Sequence, residues 1–129
     1  MKIEVSKGEV LDKYSILQIK SQRITDPTAL KNVQRELERL QPAVDTIRSQ
    51  ESSNRLGILQ QQLLEVNTKL WEVEDTLRLL EKSKDFGSSF VAAARSVYQL
   101  NDHRAALKKE INLLTGSILF EEKSYEKYD

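Results

Sequence analysis

An apolar repeat across residues 54–83 leaves little freedom in what this chain can fold into. Leu56, Leu59, Leu63, Val66, Leu70, Val73, Leu77 and Leu80 follow one another at alternating steps of three and four. That spacing is the narrow seam one helix presents to another in a bundle or coiled coil. At 1.5 Å per residue, such a stretch predicts a rod on the order of 40 Å long. Beside the seam runs a second stripe at helical spacing, Asn67, Trp71, Glu74 and Arg78, with Asp75 one residue around. The first stripe speaks to folding and the second to function.

The rest of the chain follows the same helical logic. Ser6 and Glu9 form a capping box, so a first helix is expected over 7–24, with Val10, Tyr14, Leu17 and Ile24 on one stripe. Asp26 and Pro27 restart the chain as cap and first turn of a second helix over 27–48. Pro42 lies inside that pattern and is expected to kink or divide it. The polar run 49–54 reads as the loop of a helical hairpin, followed by the third helix over 55–84. A turn at 85–88 precedes a fourth helix over 89–114, ended by Gly116 in a left-handed cap. The tail, 115–129, folds back through Ile118 to Phe120 or frays, and its Tyr125 and Tyr128 offer a docking segment. The expectation is one all-α domain over 1–129: a four-helix, mostly antiparallel bundle with a long central helical hairpin.

Composition narrows the function classes. The 20 basic residues balance the 20 acidic ones, so no global field draws the chain to nucleic acid or an acidic membrane. With no cysteine there is neither a disulfide framework nor thiolate chemistry, and a single histidine, His103, excludes a histidine-rich metal site. No Glu-x-x-His pair of the di-iron type occurs. Neither a phosphate-binding glycine loop nor a nucleophile elbow is present. No metal, no cofactor and no catalytic residue is expected. No apolar run approaches the roughly 18 residues that span a bilayer, and the charged start Met1 to Val5 is no signal peptide. A cytoplasmic setting follows as the expectation.

Candidate chemistry lies where polar side chains interrupt the seams. Arg104 falls in phase with Val97, Leu100, Leu107 and Ile111, and an arginine in a core seam requires an acidic partner. Antiparallel packing of the third and fourth helices brings Glu74 or Asp75 to it. The meeting is either a structural ion-pair lock or a polar pocket in which Lys13, Glu74, Asp75, Arg104 and Lys108 receive an anionic ligand. A second anion site is conceivable at the first helix start, where Ser6 and Gly8 expose backbone donors; the alternative is a plain helix cap. Gly8 in a first turn also marks a place where another element can approach closely. Trp71, the only tryptophan, is expected in the core.

Three segments carry a resemblance: 3–26 (IEVSKGEVLDKYSILQIKSQRITD), 67–75 (NTKLWEVED) and 101–112 (NDHRAALKKEIN). Together they resemble a family of small all-helical proteins of bacteria and phages catalogued as a domain of unknown function. Some members are encoded near glycosyltransferase genes. The resemblance implies an all-helical fold and carries over no activity or catalytic residue; its polar pattern includes Ser6, Gly8, Asp12, Asn67, Trp71, Asn101, Arg104 and Asn112.

Three functional readings follow. The first is a non-enzymatic interaction or assembly protein, a homodimer, because the long second and third helices outreach the short first one and leave seam exposed. The second is a bundle, binding or enzymatic, with its site between helices one, three and four. The third is a regulator that docks on a host enzyme.

Overall fold

The computed structural model describes residues 1–119, 122 and 127–128. They form an all-α, four-helix bundle: α1 (Lys7–Arg23), α2 (Pro27–Gln50), α3 (Asn54–Lys82) and α4 (Ser88–Thr115). Successive helices run antiparallel. None of the helices is long and apolar enough to cross a membrane.

Local signals set the boundaries. The Ser6 hydroxyl accepts from the Glu9 amide at 3.1 Å, and the Asp26 carboxylate accepts from the Ala29 amide at 2.8 Å. Gly116, at φ 67°, closes α4 in the left-handed region, and its amide and that of Ser117 both reach the Asn112 carbonyl. The loop between α2 and α3 is only 51–53, shorter than the polar run around it. Pro42 does not divide α2, which continues through it. The carbonyl that loses its partner there belongs to Glu38, and both residues face solvent, where water can satisfy it.

The shortest helix is the centre. α1 packs against α2, α3 and α4, whereas α2 lies mainly on α1, and the most extensive pair is α3 with α4. The core joins Leu11 of α1 with Val44 and Ile47 of α2, the first half of the α3 seam (Leu56, Leu59, Leu63, Val66), and Leu107 and Ile111 of α4. Burying an aliphatic side chain of this size is worth about 1.5–3 kcal/mol, so this end of the molecule carries most of the stability.

The seam then runs out of cover. Leu70, Val73, Leu77 and Leu80 are only half-buried, and no residue from Thr68 to Ala106 is buried. Here α3 and α4 leave the body as a two-helix arm, which at 1.5 Å per residue extends roughly 20 Å. The helices that outreach α1 are therefore the third and fourth, not the second and third. At the arm tip the rings of Phe86 and Phe90 meet edge to face at 5.2 Å. Near its root, Tyr128 of the tail sets its ring edgewise on Tyr98 at 5.2 Å and donates its hydroxyl to Asp102 at 2.8 Å. Ile118 and Leu119 stay exposed, so this part of the tail does not pack back on the bundle. Phe120 and Tyr125 lie outside the described residues.

Candidate functional site

The α1 face that meets α3 and α4 is built from Gly8, Asp12, Ser15 and Ile19, all buried and advancing by four, three and four. Small residues at 8 and 15 let neighbouring helices approach, and the approach makes Asp12 the focus of a polar network. Its carboxylate, 1% exposed, accepts two hydrogen bonds from Arg104, one from Nε at 2.9 Å and one from a terminal nitrogen at 2.5 Å. Asn67 Nδ2 donates to the same carboxylate at 2.9 Å and to the Ser15 hydroxyl at 2.7 Å, while that hydroxyl donates to the Asp12 carbonyl at 2.7 Å. One carboxylate thus joins three helices through a bidentate arginine and an amide, the strong form of charge-assisted bonding. Among the described residues no buried side-chain nitrogen or oxygen lacks a partner.

The partner of Arg104 is therefore Asp12, not Glu74 or Asp75. Those two stand on the arm and make no hydrogen bond or ion pair with Arg104. Arg104 keeps 27% of its side chain exposed, so the ion pair is reached by solvent from one side.

That side is a cleft of about 520 Å³ at the root of the arm. Ile16 and Ile19 of α1, with Leu70 of α3, supply its apolar wall. Trp71, half-buried and not in the core, stands beside Glu74, Asp75 and Arg78 along α3. Asn101 and Arg104 of α4, with Asn67 behind them, close the remaining side. The cleft exists because α1 ends: Arg23 in its last turn reaches Glu72 at 3.3 Å, and beyond that contact the groove between α3 and α4 is open.

The cationic pocket expected from spacing is thus only partly assembled. Glu74, Asp75 and Arg104 share the cleft. Lys13 lies on the α2 side of α1, 3.5 Å from Glu36, because it follows Asp12 by one residue and faces away from it. Lys108, one turn beyond Arg104 toward the core, pairs with Glu9 at 2.9 Å with its side chain 10% exposed.

The anion site expected at Ser6 and Gly8 is filled by the protein itself. The Gly8 amide donates to Asn112 Oδ1 at 2.7 Å, and the Lys7 amide to the Ser117 hydroxyl at 3.3 Å. Lys7 Nζ in turn caps the Thr115 carbonyl at 3.0 Å. The start of α1 meets the end of α4, so opposite ends of two helix dipoles neutralise one another. Gly8 is required by that approach: a Cβ there would lie 2.5 Å from the Lys108 carbonyl oxygen and 2.8 Å from Asn112 Oδ1. Glu9, which the capping box would turn back on Ser6, goes to Lys108 instead.

Asp12 is the residue that sequence reasoning undervalued. Its signal was available: an acid in phase with Gly8, Ser15 and Ile19 is the natural counterpart of an arginine in phase with leucines. His103 is exposed and stands on the opposite side of α4 from the Asp12 network, in a shallow groove with Leu100, Val66 and Lys69. No group of acidic or histidine side chains able to hold a metal ion occurs among the described residues.

No characterised protein matches this chain, and no solved structure does. A family model described as a family of unknown function, DUF6165, matches residues 1–128, and the chain belongs to that family.

Proposed function

We propose that this protein is a non-enzymatic assembly protein that acts as a homodimer, with the α3–α4 arm of one copy docked on the arm of another. The observation that carries this reading is the loss of cover along the α3 seam. A helical hairpin held by one half-buried seam gains little from packing, and helices in water draw most of their stability from it. On this arm Leu79 is 68% exposed, and Phe86 and Val91 are each 51% exposed. A second copy brings the same apolar groups to the same place, as a twofold contact requires.

Charge favours a second copy over an unrelated partner. Along the outer arm, Glu72 near the root precedes Lys82 and Lys84 near the tip, and none of the three lines the cleft. Two such segments laid antiparallel about an axis near Leu77 place Glu72 of one copy opposite Lys82 of the second. Antiparallel pairing is attractive at both ends, and a parallel one sets like charges against each other. The resemblance to bacterial and phage proteins fits a cytoplasmic setting, which belongs to the same proposal.

Light scattering coupled to size exclusion tests this directly. The expected result at micromolar concentration is an elongated particle of twice the 14.9 kDa chain mass, reduced to one chain by Leu79→Glu with Phe86→Glu. Because the chain has no cysteine, Leu77→Cys alone should oxidise to a cross-linked pair. A compact monomer that resists cross-linking at tens of micromolar overturns the proposal.

A further inference from the structure

We infer that the cleft at the arm root binds a small zwitterion of amino-acid type, one carrying an ammonium, a carboxylate and an apolar side chain. The inference is independent of dimer formation, since Leu79, Glu72 and Lys82, on which the dimer contact is argued, do not line the cleft.

The cleft's charge inventory selects the ligand class. Asp12 already compensates Arg104 through two hydrogen bonds, so this arginine contributes no net field for an anion. What is left on the α3 wall is Glu74, Asp75 and Arg78. They make no hydrogen bond or ion pair with any described residue, although Glu74 and Arg78 stand four apart in the order that favours pairing on a helix. Two acceptor-only groups and one donor-only fork therefore face the same space, separated along the helix by about 6 Å of rise. An inorganic anion meets two carboxylates there, and a simple amine meets a guanidinium. A zwitterion satisfies both, its ammonium on Glu74 and Asp75 and its carboxylate on Arg78.

The remaining wall fits the third group. Trp71, Ile16, Ile19 and Leu70 form an apolar surface beside the charged one, suited to an aromatic or branched side chain. The volume of about 520 Å³ falls within the usual range for small-molecule sites, roughly 300–1,000 Å³. The floor is rigid: Asn67 and Arg104 are fixed by Asp12, so little ordering is needed on binding.

Trp71 is the only tryptophan, and its emission and indole N–H resonance report on this cleft alone. Phenylalanine, phenethylamine and 3-phenylpropionate form a matched set that removes one charge at a time. Saturable perturbation by phenylalanine is expected, with each analogue binding at least about tenfold more weakly, or 1.4 kcal/mol. Asp75→Asn with Glu74→Gln should weaken phenylalanine and phenethylamine but spare phenylpropionate. Arg78→Gln should do the reverse. All three positions are exposed, so the variants keep the fold, and unchanged circular dichroism verifies it. The inference is overturned if phenylalanine and leucine leave the Trp71 signals unchanged at tens of millimolar. It is equally overturned if phenethylamine, phenylpropionate, inorganic phosphate or a methyl glucoside binds as tightly as the amino acids. The monomeric Leu79→Glu, Phe86→Glu chain should bind as the parent does.

Discussion

Replacing Gly8 by alanine isolates the close approach of α1 to α4. Helix propensity alone argues that Gly8→Ala stabilises, by about 0.5–1 kcal/mol, since Gly8 lies inside the first turn of α1. The structure reverses that sign. The new Cβ would stand 2.5 Å from the Lys108 carbonyl oxygen, where ordinary contact begins at 3.4 Å. That oxygen is backbone and cannot rotate away, so α1 must shift from α4. The shift costs about 1–3 kcal/mol as overpacking and also stretches the 2.7 Å bond from the Gly8 amide to Asn112, worth about 1 kcal/mol. A net loss of about 2 kcal/mol is expected, which for a chain of this size lowers Tm by about 7 °C. Gly57→Ala is the internal control: it also lies in a first helical turn, but nothing stands within 4 Å of its Cβ, and it should raise Tm by about 3 °C. Thermal and urea unfolding of both variants, checked for two-state behaviour, measures the difference. If the two alanines stabilise alike, the close α1–α4 approach and the role given to Asn112 are wrong.

Other consequences can be checked with the same assays. Arg104→Ala leaves a buried carboxylate with only Asn67 and should cost about 2–4 kcal/mol, and a cycle with Asp12→Asn should show coupling above about 1 kcal/mol; additive losses would dissolve the network. Leu63→Ala, at a fully buried site, should cost about 2–5 kcal/mol. Leu77→Ala on the arm should cost less than half of that in the monomeric Leu79→Glu, Phe86→Glu chain, and equal losses would mean the arm is covered. Amide exchange should run faster through 70–100 of that chain than through the buried half of α3; uniform protection would contradict a two-helix arm.

Much of the fold was legible because its signals are local. Spacing of apolar residues marks helices, and the caps at Ser6, Asp26 and Gly116 act within a few residues of themselves. The ridge residues Asn67, Trp71, Glu74 and Arg78 were likewise found by spacing, and they do share a cleft with Asn101 and Arg104. Pairing across helices was not legible in the same way. The 3-4 seam of α3 has the same period from Leu56 to Leu80 and does not record where its cover ends. Nor does an arginine in phase with leucines name its acid.

The sequence by itself determined that this chain is helical, that caps at Ser6, Asp26 and Gly116 bound its helices, and that Gly8 and Arg104 break the surrounding pattern, since each follows from residue type and spacing along the backbone. Only the tertiary structure decided that α1 is the hub, that Asp12 holds Arg104 while Asn112 occupies the start of α1, and that α3 and α4 project as an arm with a cleft at its root. Those outcomes depend on how far helices lie apart and where each one stops relative to the others. A period along one helix carries no such distance.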